Sequence, residues 1–384
     1  MVVNVVNVVN SAQTVADRYR EFSWQQARGR SDAHAELTAR ISQDAEFCDL
    51  LSGSLPAGDK QRPELLLAAV RHLDGPHAEL GPRNETAYGR WREWTVRHWD
   101  EVRAVIMRRT GRTNEPAGCA ALLPLLARLP QPLALLEVGA SAGLCLRPEL
   151  YRYRYEGDGA GSGTECGAPG SPVTLTCRTS AAGPGPVPQA PARLPEIVWR
   201  AGIDLDPLDP AAERDDLRWL QSLVWPGEED RAQRLTAAVD AVRSLPRPRI
   251  VRGDLVDELP ALAAEAPAGA TLVVFHTGVL GSLPLARRER FAALVRSLLA
   301  GRSGPGHWIS HEHHGVLPWI TAPVHRTLRP EDAPLLTLAL DERPLALTGP
   351  HGESLHWLPE SGLPESGLPQ DGLPQDGLPQ DGTA

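Results

Sequence analysis

Apolar residues in the first third of the chain recur every three to four positions among good helix formers, so Ala12 to Arg128 is predicted helical. The clearest stripe is Trp91, Trp94, His98, Val102, Val105 and Ile106, at near-helical spacing. After Pro130 short apolar runs alternate with amphipathic segments, the pattern of a parallel α/β sheet. The runs are Leu133 to Val138, Ile197 to Ile203, Arg249 to Val251, Thr271 to Phe275 and His307 to Ser310. Helices are expected at Asp215 to Leu223, Glu229 to Ser244, Leu255 to Glu265 and Leu285 to Ala300. Leu335 to Leu340 and Pro344 to Leu347 read as a hairpin, with a last strand at Ser354 to Trp357. The alternation Tyr151, Tyr153, Tyr155 reads as a half-buried strand.

Three biased segments break this pattern. Residues 1–11 repeat Val-Val-Asn and are expected to be disordered. Between Gly157 and Pro195 lie eight Gly and seven Pro, which reads as an insertion holding at most a short strand at Val173 to Cys177. Residues 358–384 carry five copies of Leu-Pro-[Glu/Gln]-[Ser/Asp]-Gly, too poor in apolar surface to offset chain entropy, and read as a disordered tail. The expected organisation is a helical region over 12–130 and an α/β domain over 131–357 with its insertion at 157–195.

Charge narrows the function classes. The net charge is −9, which argues against a protein that coats nucleic acid or anionic membrane through bulk electrostatics. Arginines interleave with tryptophans between Arg83 and Arg112, but a core stripe with a wet arginine face accounts for that pattern without a nucleic acid. Five cysteines without a Cys-x-x-Cys pair favour neither a disulfide framework nor a zinc knuckle. With no recognisable signal peptide or membrane span, a cytoplasmic protein with no membrane partner is expected. No metal site is expected either: His311, Glu312, His313 and His314 read as a solvated loop, since neighbours on a strand face opposite ways.

The residues that carry chemistry fall at the ends of the predicted strands. Leu133 to Val138 contains Glu137, and Gly139-Ala140-Ser141-Ala142-Gly143-Leu144 follows as a small-residue turn with a helix start expected after it. Such a turn lets backbone approach a ligand closely, while the carboxylate accepts bonds from a hydroxyl or amino group. Asp204 ends the next strand, Asp254 with Leu255 follows another, and His276 ends the strand from Thr271. Polar groups at the carboxyl ends of parallel strands converge where such sheets bind ligands.

This series resembles the class I S-adenosylmethionine-dependent methyltransferases over roughly Leu133 to Leu299. The resemblance implies a Rossmann-like, doubly wound, mostly parallel sheet and S-adenosylmethionine as cofactor. Their acid-bearing glycine motif corresponds to Glu137, Gly139, Ser141 and Gly143, their ribose acid to Asp204, and their adenine-side acid to Asp254 beside Leu255. Ser141 stands where the motif has its central glycine, and the insertion replaces the usual short helix between the first two acids. Across most of its length the chain is also similar to an uncharacterised bacterial domain-of-unknown-function family (number 2332). That similarity rests on Arg112-Thr113-Asn114-Glu115, Glu137 to Leu144, Tyr151 to Tyr155, Trp199 to Asp204, Val224-Trp225-Pro226 and Phe275-His276-Thr277.

The resulting expectation is methyl transfer to a small molecule or an exposed protein group. His276 is the candidate general base, Glu312 the second catalytic candidate, and Asn114 with Glu115 a segment folding over cofactor or substrate. Two alternatives stand beside it. Gly139-Ala140-Ser141-Ala142-Gly143 also satisfies Gly-x-Ser-x-Gly, so Ser141, Asp254 and His276 fit the chain order of a serine hydrolase, though no oxyanion motif precedes them. The other alternative is a cofactor-binding module without catalysis.

Overall fold

Side-chain alternation on the strands sorts the interior into two faces of one sheet. In the computed structural model, which describes residues 14–76, 85–111, 115–157, 163–181, 190–320 and 335–358, β1 (Leu133–Val138) is buried along its whole length. Leu133 and Leu135 join one apolar cluster, Ala134, Leu136 and Val138 the other, as the two-residue period of a strand requires. The Val-Val-Asn repeat, Asn114 and the pentads after Leu358 lie outside the described residues.

The first part of the chain is helical as expected: α1 (Val15–Phe22), α2 (Asp32–Ile41), α3 (Ala45–Ser54), α4 (Pro63–His72), α5 (Glu85–Arg97), α6 (Trp99–Arg108) and α7 (Gly118–Leu126). The tryptophan stripe spans two helices, because α5 ends at Arg97 and α6 begins at Trp99. α1, α2 and α3 start on Thr14, Ser31 and Asp44, whose side-chain oxygens accept the backbone N–H of Asp17, His34 and Phe47. These helices have no core of their own. Their apolar faces belong to the cluster that also holds Leu133, Phe275 and Ile309, so they form one covering layer of the sheet.

The remaining elements are β2 (Arg152–Gly157), β3 (Thr164–Gly167), β4 (Thr174–Ala181), β5 (Ile197–Asp204), α8 (Arg214–Leu223), α9 (Glu229–Val242), β6 (Arg249–Arg252), α10 (Leu255–Ala264), β7 (Thr271–Thr277), α11 (Leu285–Gly301), β8 (Gly306–His313), β9 (Leu336–Leu340), β10 (Arg343–Thr348) and β11 (Ser354–Trp357). They form one 11-stranded sheet in the order β3-β2-β4-β11-β10-β9-β8-β7-β1-β5-β6. Five of these strands, β8-β7-β1-β5-β6, are parallel throughout, and the order reverses between β1 and β7. β8 to β11 then run antiparallel to one another, and β11-β4-β2 is parallel again. α8 and α9 join the helical layer on one face, and α10 and α11 cover the other through Val256, Leu259, Phe291 and Val295.

Two expectations change. No α-helix follows the glycine turn. Two single turns of 3-10 helix, Leu144–Leu146 and Pro148–Leu150, lead directly to β2. The insertion also holds more than the short strand expected at Val173 to Cys177: it supplies β3 and a longer β4, which pairs with β2 and β11. The connection from β1 to its neighbour β5 therefore passes through the far end of the sheet, and its described residues form strands and single 3-10 turns but no α-helix. Among the described residues no helix is long and apolar enough to cross a membrane.

Candidate functional site at the carboxyl ends of the parallel strands

The turn after β1 is held in a left-handed path. Gly139, Ser141 and Gly143 have φ of +76°, +48° and +70°. Only glycine adopts such angles freely, so Ser141 carries about 1 kcal/mol of backbone strain. The path is fixed from the neighbouring strand: the N–H groups of Gly139 and Ala140 donate to Ile203 O at 2.7 and 3.1 Å. Gly202 makes this approach possible, because a Cβ there would stand 2.5 Å from Cβ of Ala140.

Asp204, at the end of β5 and buried, completes the clamp. Its Oδ2 accepts the N–H of Ser141 at 2.8 Å and its Oδ1 the N–H of Asp206 at 2.8 Å. One carboxylate thus shapes both the glycine turn and the loop after β5. Glu137 is buried near the end of β1, level with Gly202 of β5, on the face covered by the helical layer. Asp254 lies further out: it caps α10 by accepting the N–H of Val256 at 2.9 Å, and Arg287 binds both its oxygens at 2.7 Å. Leu255 opens α10 and packs against the second apolar cluster.

His276 and Glu312 do come together, on the opposite face from Glu137. Nδ1 of His276 lies 2.7 Å from Oε1 of Glu312, and the indole N–H of Trp308 donates to His276 Nε2 at 3.1 Å. Glu312 Oε1 also accepts the N–H of Val279 and Leu280 at 2.8 and 2.9 Å. Burial raises the Glu312 pKa, but the bond and charge of His276 and the two N–H groups outweigh it and hold the carboxyl below its usual range. His276 has no exposure, and both its nitrogens are engaged. With Nε2 accepting from Trp308, the proton sits on Nδ1 facing Glu312. This is the arrangement of a positioning residue: the pair fixes the segment after β7, and the ring has no nitrogen left for a substrate proton. The hydrolase constellation is not assembled, for among the described residues no hydrogen bond joins Ser141, Asp254 and His276.

Glu115 sits just before α7 in a buried ion network. Its oxygens accept from Arg231 Nε at 2.8 Å and Arg234 Nε at 2.9 Å, and Arg231 also holds Glu228 at 2.6 Å. Glu228 in turn binds Arg30 at 2.8 Å, and Arg30 stacks over Trp225 at 4.4 Å. A second network, at the end of α6, was not legible beforehand. Buried Arg109 binds Asp216 at 2.8 Å and Asp215, and lies 3.6 Å from Asp206. It fastens the helical layer to the loop beyond Asp204. Its partners stand roughly a hundred residues away in sequence, and no local motif marks them.

His311 and Thr277 are neighbours across the β7–β8 pairing, on the face of Glu137. His311 is fully buried, with Nε2 at 2.6 Å from Thr348 Oγ1. Burial pushes its pKa down to about 4, so the ring is neutral at neutral pH. Unfolding restores a value near 6.5, and the unfolded chain then binds the extra proton. Stability is therefore expected to fall by roughly 3 kcal/mol as pH drops from about 6.5 to about 4. Chemical denaturation across that range checks this, and His311→Asn should flatten the slope by about one proton.

No curated protein and no solved structure matches the chain. The family model described as "Uncharacterized protein conserved in bacteria (DUF2332)" matches residues 16–357, from α1 to the end of β11. The helical layer, the glycine turn and the whole sheet therefore fall within one match, and the chain belongs to this family.

Proposed function

We propose that this chain is an S-adenosylmethionine-dependent methyltransferase acting on a small molecule or an exposed protein group in the cytoplasm. The observation that carries the reading is the strand order. Numbered by appearance, the parallel half runs 3-2-1-4-5, a doubly wound order whose reversal lies at β1 and β7, with the left-handed turn on the carboxyl end of β1. The five cysteines are free, in keeping with a reducing compartment.

The residues present fit the cofactor at three points. The turn Gly139-Ala140-Ser141-Ala142-Gly143 gives backbone close access to it. Glu137 offers a buried carboxylate to its amino group. Asp204, at the end of β5, holds both the turn and the loop after it through the N–H groups of Ser141 and Asp206, and so stands where the resemblance has its ribose acid. When bound, the cofactor supplies a methyl group on a sulfonium. The chain's task is to align an acceptor with it and keep water away. His276 and Glu312 contribute by fixing the segment from Val279 to Leu280 beside the crevice. Asp254 is the weakest match, since α10 and Arg287 already share its oxygens.

Titration calorimetry of the purified protein with S-adenosylmethionine and with S-adenosylhomocysteine is the test. Micromolar binding is expected, and Ser141→Gly should keep or tighten it, because glycine takes φ of +48° without strain. No heat at millimolar cofactor would remove the reading. Labelling of Ser141 by a fluorophosphonate, abolished in Ser141→Ala, would put a hydrolase in its place.

A further inference from the structure

Two enclosed polar atoms with no partner among the described residues, Thr277 Oγ1 and His311 Nδ1, belong to residues that pair with each other toward the carboxyl ends of β7 and β8. The strand period puts both on the face of Glu137, so β1, β7 and β8 each place one polar residue on the same face of the sheet, with Glu137 level with Phe275 and one side-chain step below Thr277 and His311. A buried hydroxyl or imidazole nitrogen without a hydrogen bond costs about 1 to 3 kcal/mol. Valine has the shape of threonine and would remove that cost at position 277. The other nitrogen of His311 is already fixed by Thr348, which aims Nδ1 instead of leaving the ring free to turn.

We infer that Thr277 and His311 bind the methyl acceptor through an uncharged polar group, a hydroxyl or a carboxamide. This rests on the methyltransferase reading, which puts the cofactor on the β1 and β5 side of the same crevice. A carboxamide or hydroxyl both donates and accepts, and so can satisfy a hydroxyl and a ring nitrogen together. Neither Thr277 nor the neutral ring of His311 carries a charge to offset the desolvation of a buried carboxylate or ammonium, so a charged group is costly there. Methyl transfer to such an acceptor is balanced. The oxygen or nitrogen lone pair forms the new bond to carbon as the S–CH3 bond breaks, its electrons stay on sulfur, and the acceptor's proton leaves to water.

The probe is acetamide, with acetate and methylammonium as its charged counterparts. Each is titrated into full-length, histidine-15N-labelled protein saturated with S-adenosylhomocysteine, and the His311 ring nitrogens are followed by NMR, assigned through His311→Gln. Acetamide is expected to shift the Nδ1 resonance saturably and the charged probes to leave it unmoved. Thr277→Val should weaken acetamide at least tenfold, keep cofactor affinity within twofold and hold or raise Tm, while Thr277→Ser should retain binding. If acetamide leaves the resonance still while the cofactor binds, the inference fails and the methyltransferase reading stands. If acetamide binds but the cofactor does not, the methyltransferase reading fails and the polar pair remains a ligand site. A Tm lower by several degrees in Thr277→Val would show a structural hydroxyl and overturn the inference.

Discussion

Glu115→Ala is expected to destabilise the fold by about 3 to 5 kcal/mol, because it leaves Arg231 buried beside a missing partner. Arg231 is 6% exposed on its side chain and Glu115 10%, so water cannot replace the lost charge. Burial works against the ionised carboxyl, but the Arg231 and Arg234 guanidiniums overcome it and hold the Glu115 pKa below the usual range. The group is thus ionised in the fold at neutral pH. Its contribution is full above the unfolded carboxylate range and fades as pH falls through the lowered value. Urea denaturation of the variant reads the loss directly. Glu115→Gln should recover part of it, since an amide oxygen still accepts one N–H. A change below 1 kcal/mol would mean that Arg231 finds Glu228 sufficient, and that Glu115 is available for a ligand.

The same network marks where sequence reasoning stops. Strands were legible because a buried strand is a short apolar run bounded by turn residues: Leu133 to Val138 and Ser354 to Trp357 match residue for residue. Helix ends on the α/β half agree to within two residues for the same reason, as at Leu285–Gly301. The missing helix after Gly143 was not legible. The turn has the local pattern of a helix start, and only the pairing of β2 with β4, and of β4 with β11, sends the chain away from it. β4 itself alternates buried Leu175, Cys177 and Thr179 with exposed residues, and the strand read at Val173 to Cys177 catches only its first half, because Gly and Pro crowd the rest of the insertion.

The candidate site divides along the same line. That Glu312 orients His276 follows from two strand ends on adjacent parallel strands. That Trp308 closes the other ring nitrogen does not, for a tryptophan four residues before Glu312 looks like core on any pattern. This bond turns the histidine from a candidate base into part of the scaffold. Acids at strand ends could be listed from sequence, but which of them holds the backbone and which is free for a ligand depends on N–H groups that only the fold aims.

Asp204 is where these two roles meet, and its replacement by alanine is expected to have the second large effect. Two buried N–H groups, of Ser141 and Asp206, would lose a charged acceptor. Bonds to charged groups contribute about 1.5 to 3 kcal/mol each, so a loss of about 3 to 6 kcal/mol follows. The turn would also lose the contact that holds Ser141 at φ of +48°, and cofactor affinity should fall thirtyfold or more. Asp204→Asn separates the two contributions. Its single carbonyl oxygen can accept one of the two N–H groups, while its NH2 faces the other donor. A carboxylate that serves only the backbone predicts that stability and affinity drop together in both variants and recover together when Ser141→Gly relaxes the turn. A carboxylate that also holds a ribose predicts that affinity stays low after stability is restored. Thermal denaturation and calorimetry on the Asp204→Asn, Ser141→Gly double variant decide it: recovery of both would confine Asp204 to shaping the turn, and recovery of Tm alone would place it on the ligand.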